Sequence, residues 1–291
     1  MLISPFIIVA LFPALLVSAN KETSQASVRR HCGTHISESK LAAVERTFRS
    51  LRFGAGASTD YTHTLYADLH FHVVYENKTL EGGYIPEQQI KDQIDVLNAD
   101  YGLTGIRWKH TNTTRTKNSE WFNRVAPWND HENNMKSSLR AGGPGSLNVY
   151  SVGFRDGGAA GLLGYSTFPW DYTNKAFLDG VVVLYSSLPE GTLAPYNKGR
   201  TLTHEIGHWL GLYHTFQGGC EGPGDFVDDT PAEDSPAYGC PSKRDSCPGD
   251  PGLDPIHNFM DYSDDACMRE FTKGQISRLR AQIDAYRGMR R

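Results

Sequence analysis

The sequence predicts a mixed α/β fold that is followed by a loop-rich, disulfide-linked segment. Two patterns support this prediction. Between residues 66 and 214, stretches with apolar residues at every second position mix with stretches in which apolar residues recur at helical spacing. Beyond that point the periodicity weakens, and four of the chain's five cysteines fall between residues 220 and 267.

The individual elements follow from these patterns in chain order. Residues 66–76 alternate between apolar and polar side chains and predict a strand. Residues 86–101 carry apolar side chains one helical turn apart and predict an amphipathic helix that begins near Pro86. The other predicted elements are strands at residues 106–110, 147–154 and 180–184, a helix at residues 131–140, and an extended stretch at residues 161–170 that suits a sheet edge.

The C-terminal helix carries its own start signal. Thr272 and Gln275 have the spacing of a capping box, in which each side chain binds the other residue's backbone N–H. Ile276, Leu279 and Ile283 then recur at helical spacing and predict the buried face.

The N-terminus predicts export. Residues 2–17 are apolar and end in small residues, a length too short for a membrane span and typical of a secretory signal peptide, residues 1–19, with cleavage after Ala19. A buried N-terminal strand or helix is the alternative. In an exported chain, the two sequons at Asn77 and Asn112 predict N-glycosylation. Export also predicts a secreted, extracellular protein with no membrane partner.

Charge separates a basic N-terminal segment from an acidic body. Residues 20–54 carry seven Lys and Arg against three Asp and Glu, without a clear periodic pattern, and we interpret them as a propeptide. The whole chain has a formal net charge of −4, so residues 55–291 carry about −8, which argues against a nucleic-acid partner. Their length suits one large domain or two intimate subdomains, which we would divide at about residue 214.

The cysteines divide into a cluster and one outlier. Cys220, Cys240, Cys247 and Cys267 lie close together in an exported chain and predict two disulfides, for which spacing alone leaves three pairings open. The fifth, Cys32, lies in a basic stretch and has no intramolecular partner left. An intermolecular disulfide and an incidental free thiol are two interpretations; a third follows from the site below.

The strongest functional signal is a histidine-rich helix that reads HEIGHWLGLYH. His204 and His208 lie one helical turn apart, which suits two ligands of a tetrahedral zinc, and Glu205 is placed to reach a bound water. Gly211 can end the helix with a positive φ and bring His214 back to the same ion. Three imidazoles leave one position for water, which is the catalytic arrangement.

Other interpretations of this motif predict different residues. Chance histidines on a helix would not repeat the full spacing, and a non-catalytic binding module would be expected to have lost Glu205 or a ligand. A structural zinc site would close with a fourth protein ligand. A thermolysin-like site would use a downstream Glu in place of His214.

The motif resembles the long zinc-binding sequence of metzincin metalloproteases. A methionine turn should follow, and Met260 within NFMDY fits, as a hydrophobic floor under the metal. Together with the four clustered cysteines, these motifs resemble the pappalysin family, and in particular fungal secreted extracellular metalloproteases, from residue 66 to the C-terminus. The resemblance implies a twisted mixed sheet with an antiparallel edge strand, a cleft between two subdomains, and the disulfides Cys220–Cys247 and Cys240–Cys267.

The resemblance also assigns roles around one Zn2+ per chain. Glu205 would activate the attacking water, and Tyr262 would stabilise the oxyanion, unless it is merely a packed aromatic residue. The edge strand at residues 161–170 would pair with an extended substrate by β-addition. Because metzincin zymogens use a cysteine switch and thiolate is a good zinc ligand, we interpret Cys32 as the latch of a latent precursor.

A second cation is predicted less directly. Asp225, Asp228 and Thr230 concentrate oxygen ligands in one loop and predict calcium, although acidic surface turns are common without an ion. The sequence as a whole predicts a secreted zinc metalloendopeptidase that acts on protein or peptide substrates as a monomer. It does not identify the residues that select the substrate.

Overall fold

The computed structural model describes residues 29–55 and 63–290. The predicted signal peptide lies outside the described residues, and the predicted propeptide is described from residue 29 onwards. Within these two ranges, no helix is long and apolar enough to cross a membrane.

A five-stranded mixed sheet organises the chain. Its strands are β1 (Leu65–Tyr75), β2 (Ile106–Lys117), β3 (Leu147–Val152), β4 (Gly164–Ser166) and β5 (Val181–Leu184). They lie in the order β2-β1-β3-β5-β4. The first four strands of that order run parallel, and β4 pairs antiparallel with β5 at the edge. This arrangement confirms the predicted mixed sheet with its antiparallel edge strand.

The helices surround this sheet. They are α1 (Glu38–Ala55), α2 (Glu87–Asp100), α3 (Ser119–Arg124), α4 (Asp130–Leu139), α5 (Tyr172–Lys175), α6 (Arg200–Trp209) and α7 (Lys273–Gln282), which a turn of π-helix at Ile283–Arg287 extends. Thr272 and Gln275 form the predicted capping box of α7. Strand β2 is longer than predicted, because its polar second half continues to pair with β1 as far as Lys117.

Two apolar layers cover the two faces of the sheet. Along β5, Val181 and Val183 point into a large core, and Val182 points into a second cluster on the opposite face. The large core also contains Ile206 of α6 and Leu279 of α7. Helix α6 therefore lies between the sheet and α7 in one core, and the division into subdomains at about residue 214 stays a prediction.

Helix α1 was not predicted from the sequence pattern, and neither were the short helices α3 and α5. Only Leu41, Glu45 and Phe48 of the described side chains of α1 are buried, and the rest of its surface is largely exposed. A glutamate in the middle of the buried stripe interrupts the apolar periodicity on which the prediction depends. The helix is stabilised by contacts with the body, in which the apolar side chains of Leu41 and Phe48 flank the buried carboxylate of Glu45.

The segment between residues 215 and 272 consists of turns. Two disulfides link it, Cys220–Cys247 with an S–S distance of 2.08 Å and Cys240–Cys267 with 2.14 Å. These are the pairs that the family resemblance implies. Asn258, beside the methionine turn, forms an isolated parallel bridge with Glu270, which lies just before α7.

Candidate active site

Helix α6 places two histidines of the motif on one face. His204 and His208 are both buried, with ring centroids 4.8 Å apart. The helix ends at Trp209, and Gly211 then adopts φ +89°. A side chain at this position would strain the backbone and would also meet Gln282, because an added Cβ lies 2.7 Å from its side chain. The turn brings His214 back against the helix.

The three imidazoles converge on one point. The Nε2 atoms of His208 and His214 are 3.1 Å apart, and the ring centroids of His204 and His214 are 5.1 Å apart. The Nδ1 atom of His204 lies 2.7 Å from the carbonyl oxygen of Phe259, and that of His208 lies 2.8 Å from the carbonyl oxygen of Leu212. These carbonyls fix the proton on Nδ1 and leave Nε2 free to bind a cation.

The electrostatics of the cluster favour a metal. Burial lowers the pKa of His208 to about 4 and lowers the pKa values of His204 and His214 well below their ordinary value. The rings are therefore neutral, which is the form that binds metals. The Nε2 atom of His204 is buried without a hydrogen-bond partner, and the other two Nε2 lone pairs face each other. A cation between the three atoms would satisfy them all.

Glu205 lies beside the imidazoles at the end of the edge strand. Its carboxylate is buried, and burial raises its pKa to about 8. Gly164 of β4 makes room for it, because a Cβ at this glycine would lie 2.8 Å from Cγ of Glu205. A carboxyl group with a pKa near neutrality can both accept and donate a proton at physiological pH.

Two residues of the methionine turn complete the pocket. Met260 packs against α6, and a Cβ at Gly207 would be 2.3 Å from its sulfur, so the methionine leaves room only for glycine at this position. The hydroxyl of Tyr262 lies 3.3 Å from Nε2 of His214. Burial raises the pKa of this phenol well above its ordinary value, so the hydroxyl stays protonated and can donate a hydrogen bond.

The N-terminal segment fills the remaining side of the site. The thiol of Cys32 is buried, lies within 4.8 Å of the ligand atoms of all three histidines, and donates to Oε2 of Glu205 at 3.3 Å. The next residues add a strand to the sheet edge: Gly33 N–H donates to Gly164 O at 2.9 Å, and Leu163 N–H donates to the carbonyl of His31 at 2.9 Å. The segment runs parallel to β4.

Arg30 anchors the segment on the other side of Cys32. Its guanidinium is buried and forms an ion pair with Asp265 at 2.5 Å. It also donates to Thr201 Oγ1 at 3.1 Å and packs on the ring of Tyr196. The second oxygen of Asp265 accepts from the backbone N–H groups of Lys198 and Arg200, which hold the carboxylate in place.

Sequence reasoning missed several residues of this site. Thr34 donates through Oγ1 to Glu205 Oε2 at 3.2 Å and also receives Ser166 N–H at 2.9 Å. Neither Thr34, Arg30 nor Asp265 carries a motif of its own. For Arg30 and Thr34, the available signal was that both lie within two residues of Cys32 in the sequence. Asp265 lies 233 residues from Cys32, and only folding brings it to its partner Arg30.

The remaining predicted sites lie away from this cluster. Both sequon asparagines are exposed, and Asn112 Oδ1 lies 2.7 Å from His70 Nδ1. Asp225 is buried, and its Oδ2 and the Oγ1 of Thr230 have no hydrogen-bond partner, whereas Asp228 is exposed. The two orphaned oxygens are compatible with a cation, and calcium binding there stays a prediction.

Comparison with known proteins places this geometry in a family. The profile of the peptidase family described as pregnancy-associated plasma protein-A, the pappalysins, matches residues 147–284. An extracellular metalloprotease of Verticillium alfalfae is 50% identical over 214 residues, which are 72% of this chain and 74% of the relative. Extracellular metalloprotease 1 of Coccidioides posadasii is 45% identical over 271 residues, which are 89% of this chain and 91% of the relative.

Solved structures agree with the sequence relatives. A mutant of Tannerella forsythia promirolysin is 31% identical, with a TM-score of 0.72, over 89% of this chain and 95% of that one. Mature mirolysin in complex with a cleaved peptide is 34% identical, with a TM-score of 0.62, over 75% of this chain and 91% of that one. The chain therefore belongs to the pappalysin family of metzincin-like metalloproteases and is a metalloendopeptidase.

Proposed function

We propose that this protein is a secreted zinc endopeptidase that hydrolyses extracellular proteins and is made as a latent precursor closed by Cys32. The observation that carries the proposal is the convergence of three neutral imidazoles, a buried carboxyl group and a thiol within one site at the sheet edge. Secretion is supported by the apolar N-terminus and by relatives named as extracellular metalloproteases.

Zinc suits the donor set. His204, His208 and His214 offer three nitrogen atoms, and nitrogen with one soft sulfur donor is typical of zinc and not of calcium or magnesium. When bound, zinc acts as a Lewis acid toward the scissile carbonyl and lowers the pKa of water. The backbone carbonyls behind His204 and His208 keep both rings oriented toward the ion.

The residues around the ion divide the proton chemistry between them. Glu205, with a pKa raised by burial, accepts a proton from the attacking water and delivers it to the nitrogen of the leaving amine. Tyr262 keeps its phenol proton and donates a hydrogen bond to the oxygen on which negative charge develops. The substrate backbone extends the sheet at β4, whose edge already accepts Gly33 as an additional strand residue.

Latency follows from the same contacts. Residues 31–34 occupy the edge of β4 and the space beside Glu205, so an intact segment leaves no room for a substrate backbone. Without a cation, burial and the charge of Glu205 raise the pKa of the Cys32 thiol; a bound zinc would favour the thiolate and make Cys32 its fourth ligand. Removal of the segment opens the site.

The pocket of Arg30 suggests the substrate preference. Once the segment leaves, Asp265 loses its guanidinium partner and keeps the two backbone N–H groups that hold its carboxylate. A buried carboxylate without a partner is costly, so a substrate that supplies a cation is favoured. We therefore expect cleavage next to Arg or Lys.

The decisive experiment is to map, by mass spectrometry, the bonds that the processed, zinc-loaded enzyme cuts in a peptide library. Cutting that a zinc chelator stops and that Glu205→Gln abolishes supports the proposal, and Arg or Lys should recur at one position beside the cut. Glu205→Gln must retain zinc, which a metal analysis checks. No cutting by correctly processed, zinc-loaded enzyme, or undiminished cutting by Glu205→Gln, contradicts it.

A further inference from the structure

The described body carries a second binding feature outside the cleft, where helix α1 lies. We name it the α1 groove and define it by five residues of the body. These are Trp170, Asp171, Tyr213, Arg278 and Tyr286.

Apolar contacts line the groove. Leu41 packs in one cluster with Phe168, Trp170 and Tyr213, and the ring of Phe48 stacks against Tyr286 with centroids 6.4 Å apart. The ring of Phe168 also lies edge-on against His208 at 5.6 Å. The groove therefore adjoins the active site, and only three residues separate Thr34 in the cleft from the start of α1.

Charges give the groove a defined polarity. Arg278 donates to both carboxylate oxygens of Glu45, and Tyr213 donates to Glu45 at 2.8 Å. Arg278 is also held by the body alone, through Nε to Gly211 O at 3.0 Å. Toward the other end, Asp171 pairs with Lys40 at 2.8 Å.

Helix α1 does not fill this groove. An open pocket of about 460 Å³ lies at the end of the groove formed by Trp170, Asp171 and Tyr286, away from Arg278. Helix α1 lines it with Lys40, Ala43, Val44 and Thr47. The body lines it with aromatic side chains, among them Trp128, which is 56% exposed. Larger apolar side chains than those of α1 would bury more surface here.

We propose that the α1 groove is an exosite for protein substrates and binds an amphipathic helix that carries a carboxylate where α1 has Glu45. This inference rests on the proposed function, since removal of the N-terminal segment vacates the groove. The vacated groove presents a positioned guanidinium between aromatic rings, which an acidic side chain flanked by apolar ones complements. The bound helix would hold an adjoining flexible segment of the substrate near the cleft.

A peptide of residues 36–52 tests binding directly. It is given a fluorescent label and a hydrocarbon staple across the exposed positions 42 and 46, because a free peptide of this length is marginally helical. Fluorescence anisotropy measures its affinity for the processed enzyme. We expect Glu45→Gln in the peptide to weaken binding at least about tenfold, since a hydrogen-bonded charge is lost. Ala43→Leu should tighten binding several-fold.

A double-mutant comparison locates the peptide in the groove. Asp171→Asn in the enzyme should weaken binding of the unchanged peptide but not of the Lys40→Gln peptide, which has already lost that partner. Equal affinities of the Glu45→Gln and unchanged peptides, absence of binding, or additive effects of Asp171→Asn and Lys40→Gln would overturn the proposed groove contacts.

Hydrolysis kinetics distinguish a failure of the exosite proposal from a failure of the proposed endopeptidase function. Two fluorogenic substrates share one cleavable sequence, and one of them carries the 36–52 helix on a flexible linker. We expect a several-fold lower KM for the helix-bearing substrate, with kcat unchanged, and no gain with Glu45→Gln. Equal KM values with normal hydrolysis contradict the exosite alone, whereas absence of hydrolysis of both substrates contradicts the endopeptidase. A peptide that binds yet lowers no KM identifies the released segment as the occupant and overturns the substrate role.

Discussion

Replacing Arg30 by alanine should open the latch without touching the zinc site. The change removes the guanidinium that pairs with Asp265 at 2.5 Å in a fully buried position. Breaking a buried ion pair by removing one partner costs about 3–5 kcal/mol. Here one oxygen of Asp265 keeps two backbone N–H donors, so the low end applies. A cost of about 3 kcal/mol corresponds to about a 150-fold larger open fraction.

The thiol of Cys32 reports this opening. The other four cysteines form disulfides, so a thiol reagent such as DTNB reacts with Cys32 only when the segment leaves the site. The zinc-loaded precursor is compared in a Glu205→Gln background, which prevents autolysis in every variant. The rate of thiol modification should rise in proportion to the open fraction, by about 150-fold for Arg30→Ala.

Arg29 supplies the matched control. It is the neighbouring arginine, but it is exposed, and its guanidinium lies over the ring of Tyr238, 4.9 Å from the centroid. An exposed cation–π contact contributes about 0.5–1 kcal/mol, which limits the effect of Arg29→Ala to about fivefold. Equal rates for Arg29→Ala and Arg30→Ala would refute the reasoning, since the buried ion pair would then contribute nothing to closure.

Three further predictions concern the latch, the oxyanion and the fold. The Cys32→Ala precursor should hydrolyse a short peptide before any processing, because without the thiol ligand residues 31–34 leave the edge of β4 more often; a continuous fluorescence assay measures this, and a fully latent variant contradicts the latch. Tyr262→Phe should lower kcat about 100-fold while KM and zinc content stay constant, because one oxyanion donor is lost; unchanged kcat would make Tyr262 a packing residue. Burial lowers the pKa of His72 in the folded protein to about 4. As the pH falls from about 6.5 to 4, the unfolded chain therefore binds a proton that the folded protein does not, and the folded state loses stability. The loss amounts to at most about 3 kcal/mol, and His72→Gln should flatten that part of a Tm against pH curve; parallel curves for the two proteins would contradict it.

The sequence by itself determined the fold class and which three histidines come together. Local geometry explains this, because the i, i+4 spacing of His204 and His208 places both rings on one helix face. The chain turns back after α6, and this turn needs a glycine because Gly211 adopts a φ of +89°, which other residues rarely adopt. The alternating strands and the capping box at Thr272 are likewise short-range patterns, which can be interpreted without knowing what lies opposite them.

Only the tertiary structure decided what closes the site and what surrounds it. Asp265 meets Arg30 across 235 residues, and Arg278 meets Glu45 across 233. Such pairs leave no periodic trace, since each residue is polar and is buried only because its partner arrives from elsewhere. Helix α1 was missed for the same reason: its central buried residue is a glutamate, which becomes a favourable choice only beside the guanidinium of Arg278.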